Sequence, residues 1–421
     1  MNAVVRKNVE VVSFGCRLNL VESEAMRAAA AATGHDGAVL VNTCAVTAES
    51  VRQARQTIRR IAREKPGAKI IVSGCAAETE RAAFAAMPEV AHVLGNARKT
   101  EIGAWRALAN GQAPADDIMQ ARRATPLAVD RIAGHTRAFL AIQNGCDHRC
   151  TFCVIPYGRG PSRSLPAEVV AAQARRLVDV GHSEIVLTGV DLTSWGADLP
   201  DAPRLGELVR RILRSTPDLK RLRLSSLDCI EADASLLAAL AEEERLAPHL
   251  HLSLQAGDDL ILKRMKRRHS RADAIRFCDV VRNLRPDIVF GADLIAGFPT
   301  ETDAMADNTL RLIHDCGLTN LHVFPYSPRE ATPAARMPQV PAPVRAERAK
   351  RMREAGDAAL ARHLDRQIGR RIAILVERGG IGRAADFTPV AIPGVAPGAM
   401  IAGDVAGHDG RKLRLAAPPA A

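Results

Sequence analysis

Short apolar runs punctuate the first 95 residues, at Val9–Gly15, Ala38–Thr43, Ala68–Gly74 and Ala91–Gly95. Each is too short for a helix, and three close on glycine, as buried strands do. Between them, Glu22–Thr33, Glu49–Glu64 and Glu78–Met87 repeat their apolar positions at helical spacing. Strand–helix alternation with short connections predicts a parallel sheet with helices on both faces.

A second alternating series begins near Arg137. Its strands are Ala138–Gln143, Glu184–Gly189, Arg221–Ser226, His249–Leu254, Ile288–Gly297 and Asn320–Ser327, with helical patterns in every gap. Six such units in roughly 190 residues fall short of the eight in a full (β/α) barrel of about 250, so a six-unit partial barrel is expected. A turn- and proline-rich stretch, Pro328–Pro343, leads to a basic helix near Val344–Ile368. From Arg370 to Leu415, short strands separated by Gly and Pro suggest a small β-barrel. The expected domains are residues 1–110, a linker 111–136, a barrel 137–343, a helical connector 344–369 and a terminal barrel 370–421.

Composition narrows the class. The 421 residues are 47% hydrophobic but only 3% aromatic, so the cores must be built from Ala, Val, Leu and Ile. The net charge of +11 favours a polyanionic partner, nucleic acid before membrane. From Arg345 to Arg383 there are 11 Lys/Arg against 5 Asp/Glu, and the run Lys263–Arg271 is also basic. Either segment can meet phosphates or simply present a solvated face. The N-terminus has no apolar core of a signal peptide, and no stretch is apolar for about 18 residues, so a cytoplasmic chain without a membrane span is expected.

Nine cysteines in a cytoplasmic chain point to metal or catalysis rather than disulfides. Cys146, Cys150 and Cys153 form C-x3-C-x2-C directly after the first barrel strand, where barrel enzymes carry their chemistry. Three thiolates fill three corners of a [4Fe–4S] cube and leave one iron open to substrate. The alternatives are a zinc site, with His148 as a fourth ligand, or a purely structural cluster. Cys16, Cys44 and Cys75 each sit at the end of a strand in the first sheet, on one rim where ligands of such sheets bind. They make a second three-thiol set, or else three small buried hydrophobes. Cys229, Cys278 and Cys316 share no pattern and are expected to pack.

The first trio resembles the radical S-adenosylmethionine signature, including the aromatic Phe152 before its third cysteine. That resemblance implies that the open iron binds S-adenosylmethionine, whose reductive cleavage gives a 5′-deoxyadenosyl radical. It places cofactor contacts at Phe152, at Thr188, Gly189 and Asp191 after the second strand, at Ser226 after the third, at Gln255 after the fourth and at Gly297 after the fifth. No catalytic side chain beyond the cysteines is implied. With the N-terminal trio and a terminal barrel, the whole chain is similar to the methylthiotransferases. Their first domain is flavodoxin-like, and their third, TRAM, binds RNA. "FGCRLNLVESEAM", "IQNGCDHRCTFCVIPYGRGPSRS", "LTGVDLTSWG", "RLRLSSLD" and "HVFPYSPREATPAARMP" resemble the MtaB-like branch. The resemblance implies two [4Fe–4S] clusters, the anticodon loop of tRNA as partner and an electron donor such as a flavodoxin or ferredoxin. The implied reaction is methylthiolation at C2 of N6-threonylcarbamoyladenosine. Alternatives within the family are a MiaB-like enzyme of isopentenyladenosine tRNA and a RimO-like enzyme of a ribosomal protein aspartate. "GCAAE" at Cys75 departs from the family, where an aromatic and a glutamine often follow the Gly–Cys pair.

Overall fold

The computed structural model describes residues 9–112 and 117–416. Residues 1–8, 113–116 and 417–421 lie outside it, and with them the ends of the expected first and last domains and part of the expected linker. The N-terminal sheet holds β1 (Glu10–Ser13), β2 (Val39–Thr43), β3 (Ile70–Gly74) and β4 (Val90–Val93), all parallel and in sequence order. The alternation of side chains decides which helix covers which face. Val39, Val41, Ile70 and Val72 pack with Ile58 and Ile61 of the helix Ala48–Glu64 and with Phe84. Leu40 and Ile71 point the other way, onto Met26 and Ala30 of the helix Arg17–Ala31 and onto Trp105. Double coverage buries β2 and β3 along their whole length. The sheet shares its layering with flavodoxin-type folds, while its strands keep sequence order.

The barrel strands are β5 (Ala138–Ala141), β6 (Glu184–Thr188), β7 (Arg221–Leu224), β8 (His249–Gln255), β9 (Val289–Ala296) and β10 (Leu318–Pro325), every pairing parallel. The arc divides into β5–β6–β7 and β8–β9–β10. The short pair Ser226–Leu227, continuing the line of β7, joins the second ladder through Ser226 opposite His251. Leu222, Leu224, Leu250, Leu252, Ile185 and Phe290 face the helices and form the main core. The alternate positions Arg223, His249, His251 and Asp293 line the lumen instead. The interior of the barrel is therefore polar.

The basic helix spans Ala342–Asp365 and is part of the barrel wall rather than a free connector. Ala349 and Met352 are wholly buried in the barrel core, and Arg348 forms a buried pair with Glu301 at 3.0 Å. Beyond it, β11 (Arg371–Val376), β12 (Ile381–Ala384), β13 (Pro389–Ala391), β14 (Met400–His408) and β15 (Leu413–Leu415) close a five-stranded barrel. Closure leaves no open sheet edge. This barrel docks on the N-terminal ends of the central strands. Phe387 stacks near His249, with ring centroids 5.1 Å apart, and Arg221 donates to the Ala373 carbonyl at 3.2 Å.

Candidate functional site

Two Gly–Cys pairs show how the backbone delivers the thiols. Gly74 ends β3 at φ +97°, where a Cβ would overlap the Thr43 backbone; Cys75 then opens a short helix on the rim of the sheet. Gly145 turns the chain at φ +76°, and a Cβ there would overlap the Pro161 carbonyl. Only glycine takes both the positive φ and the close approach. Cys146, Cys150 and Cys153 follow on the loop, with Cys153 N–H donating to the Cys150 carbonyl at 3.1 Å.

The members of each trio lie within electrostatic range of one another. Cys16 and Cys44 line one cavity of about 1190 Å³, whose wall also includes Thr188, Gly189, Ser226, His251, Asp293 and Tyr326. Cys75 feels the charge of Cys16 and Cys44 feels both, while Cys146 feels Cys150 and Cys153. Cys153 also feels Cys75, which brings the two trios within electrostatic range of each other. All six thiols are free. Burial pushes the Cys44 thiol up to about 11 and Cys153 up to about 12, and it raises Cys75 and Cys146 as well. Thiols so placed ionise when a cation binds them.

The surroundings answer that need. Arg267, although it belongs to the basic run Lys263–Arg271, is turned inward. It is held by Asp228 at 2.9 Å and by the Ser253 carbonyl at 2.7 Å, and it donates to Cys150 Sγ at 3.7 Å. Asn96 donates to Cys75 Sγ at 3.9 Å and to the Gly158 carbonyl. Asp191 lies 3.6 Å from Cys146 Sγ and 3.0 Å from His148 Nε2. Asp191 and then Glu231 bond the His148 ring and push its pKa up to about 10.

Of the expected cofactor contacts, Thr188, Gly189 and Ser226 line the cavity. Asp191 touches Cys146 instead. Phe152 packs on an apolar cluster with Met265, Phe298 and Tyr326. Gln255 and Gly297 end their strands at φ +71° and +69°, outside the lining; Gly297 N–H donates to Glu301 at 2.9 Å. Cys229, Cys278 and Cys316 are buried in the barrel core.

The profile of the radical SAM superfamily matches residues 140–313, and that of the uncharacterized protein family UPF0004 matches residues 8–95. The threonylcarbamoyladenosine tRNA methylthiotransferase MtaB of Rickettsia prowazekii is 47% identical over 92% of this chain and 93% of its own. The chain belongs to the radical SAM methylthiotransferase family.

The MtaB protein of Thermotoga maritima is 34% identical over 88% of this chain and 87% of its own. The tRNA-2-methylthio-N(6)-dimethylallyladenosine synthase of Erythrobacter litoralis is also 34% identical, over 89% and 87%. Among solved structures, the radical S-adenosylmethionine methyltransferase TsrM from Kitasatospora setae, with cobalamin and a [4Fe–4S] cluster bound, shares the fold. It has a TM-score of 0.54 at 18% identity, over 71% of this chain and 66% of its own. For a methylthiotransferase of this architecture, the donor set is soft and incomplete in the required way. Three thiols suit iron–sulfur ligation. Gly15 also keeps the rim clear, since a Cβ there would lie 2.8 Å from Cys44 Sγ. Among the described residues, no helix is long and apolar enough to cross a membrane.

Proposed function

We propose that this methylthiotransferase adds a methylthio group to C2 of N6-threonylcarbamoyladenosine, 3′ to the anticodon of tRNA. The observation that carries the reading is the cavity that Cys16 and Cys44 share with Thr188, Gly189 and Ser226, with Cys153 of the barrel trio within electrostatic range of Cys75. The 47% identity to a curated MtaB supports the threonylcarbamoyl substrate over the isopentenyl one, whose curated relatives stand at 34%. Cys146, Cys150 and Cys153 would hold one [4Fe–4S] cluster, and Cys16, Cys44 and Cys75 the other. When bound, these clusters and S-adenosylmethionine supply the radical, methyl and sulfur chemistry that an aromatic C–H without acidity or leaving group requires.

The chain's own residues set the conditions. Three ligands per trio leave one position open. Arg267 and Asn96 donate to the sulfurs of Cys150 and Cys75. The reading carries with it a cytoplasmic location, tRNA as partner and a low-potential electron donor such as a flavodoxin or ferredoxin. The test is methylthiolation of anticodon stem-loops by the reconstituted protein, together with nucleoside mass spectrometry of tRNA from cells lacking it. Product on threonylcarbamoyl RNA alone is expected. Equal turnover of isopentenyladenosine RNA favours the MiaB-like reading, and activity on a ribosomal protein with none on tRNA overturns the assignment.

A further inference from the structure

The floor of the cavity holds buried polar groups without hydrogen-bond partners. Arg223 Nη1, both ring nitrogens of His249 and Ser225 Oγ are buried and unpartnered, and all three residues line the cavity. Arg223 is only 1% exposed. Arg17 lines the same cavity and has no hydrogen-bond or ion-pair partner among the described residues. The other arginines of the lining are engaged. Arg159 is saturated by Glu22, Asn19 and Asn144, while Arg345 and Arg353 donate to backbone carbonyls.

Charge points the same way. Arg221 and Arg223 share the single carboxylate of Glu184, and Arg137 and Arg383 share Glu377. Asp386 is held by His363 at 3.1 Å. Arg17 adds a guanidinium to this group and feels Arg137, Arg223 and Arg383 against the single carboxylate of Glu184. The floor thus carries a surplus of cations. A buried surplus of this kind calls for an anion from outside.

We propose that Arg17, with Arg223 and His249 below it, forms a carboxylate subsite that reads the threonyl carboxylate of the modified adenosine. This rests on the substrate reading above. N6 and C2 flank N1 on one edge of adenine, and Arg17 directly follows Cys16 in the chain. A carboxylate held by Arg17 therefore turns that edge toward the sulfur-bearing trio. An isopentenyl group has no charge to offer here, so the subsite selects between the two tRNA substrates of the family. A planar guanidinium suits a carboxylate because it donates two parallel bonds.

The test uses reconstituted holoenzyme and two stem-loop RNAs, one carrying threonylcarbamoyladenosine and one its carboxamide, in which the carboxylate alone is neutralised. Wild type should favour the carboxylate by about 10- to 100-fold in kcat/KM, the worth of one or two charge-assisted bonds. In Arg17→Gln that preference should vanish, mainly through a drop on the carboxylate RNA, with Arg17→Lys between the two. Iron content and absorption spectrum report whether the N-terminal trio is intact. The wild-type comparison needs no variant, so misfolding of Arg17→Gln does not protect the proposal. Equal turnover of both RNAs by wild type overturns it, and so does a uniform decrease in Arg17→Gln that keeps the preference. Turnover of isopentenyladenosine RNA with neither threonylcarbamoyl form would instead bring down the substrate reading itself.

Discussion

Arg159 grips Glu22 through two bonds, Nη1 to Oε1 at 2.9 Å and Nη2 to Oε2 at 3.0 Å. Arg159 ends the short helix Ile155–Arg159 that follows Cys153, and Glu22 lies on the helix that follows Cys16. One buried pair therefore ties together the two segments that carry the cysteine trios. Lys99 adds a third bond to Glu22 at 2.6 Å, and Asn19 accepts from Arg159 at 2.5 Å. Planar, bidentate pairing fixes orientation as well as distance.

This pair predicts an acid response. Burial alone would raise the Glu22 carboxyl, but Arg159 and Lys99 outweigh it and hold the group at about 2, below its ordinary 4.5. The stability it contributes is fully present above pH 4.5 and drains away as pH falls through 2. Glu22→Gln should remove that part of the acid slope. At neutral pH it leaves two buried cations short of a partner, a destabilisation on the order of 3–5 kcal/mol. Melting temperature from pH 7 downward, in both proteins, is the measurement. Parallel pH profiles would show that the pair does not carry the effect.

Iron content tests the two trios. About eight irons per chain are expected after anaerobic reconstitution, four for each cubic cluster. Replacing Cys146, Cys150 and Cys153 by Ala should halve the iron and abolish reductive cleavage of S-adenosylmethionine. Replacing Cys16, Cys44 and Cys75 should also halve it, yet leave 5′-deoxyadenosine formation and remove the methylthiolated product. Disappearance of all iron from either triple variant would mean that the trios are not separate sites.

Arg267 gives a readout independent of turnover. Its N–H to Cys150 Sγ places positive charge and a donor on a ligand sulfur. Hydrogen bonds to sulfur and net charge set cluster potentials, and both contributions here favour the reduced state. Arg267→Met should therefore shift the midpoint potential of the barrel cluster to a more negative value, read by redox titration followed by EPR. An unchanged potential with intact iron would reduce Arg267 to a packing residue for Asp228.

The positions of Cys16, Cys75 and Cys146 were legible because strand-end Gly–Cys pairs are local signals, Cys44 because it directly follows a buried strand, and Cys150 and Cys153 from their spacing to Cys146. The six barrel strands were legible for the same reason, as short apolar runs bounded by glycine and polar residues. What surrounds the cysteines was not. Glu22 and Arg159 are 137 positions apart, and nothing in either neighbourhood marks them as partners. Arg267 was hidden differently. In the run Lys263–Arg271 it looked like one more phosphate-facing cation, and only the approach of Asp228 and the Ser253 carbonyl turns it inward. The helix Ala342–Asp365 misled through its charge, since its arginines and lysines outnumber the few small residues, Ala349 among them, that fit it against the barrel.

The packed face of that helix buries only Arg348 among its cations, leaving Lys350, Arg351, Arg353 and Arg362 exposed, and the terminal barrel adds exposed cations of its own. Arg370, Arg371, Arg411 and Arg414 are exposed on or beside the strands of the terminal barrel, and of these Arg371 is paired with Asp404 at 3.2 Å. Neutralising phosphates releases counterions, so tRNA affinity should fall steeply as salt rises. Replacing Arg370, Arg411 and Arg414 by Gln should weaken binding at low salt. It should also flatten the plot of log affinity against log salt by about one unit of slope for each phosphate no longer neutralised. These side chains lie far along the chain from both trios, so iron content and 5′-deoxyadenosine formation serve as controls for an intact fold. Fluorescence anisotropy with a labelled anticodon stem-loop, titrated at several salt concentrations, measures the slope. A triple variant with wild-type slope and affinity would move the RNA-binding surface off the terminal barrel.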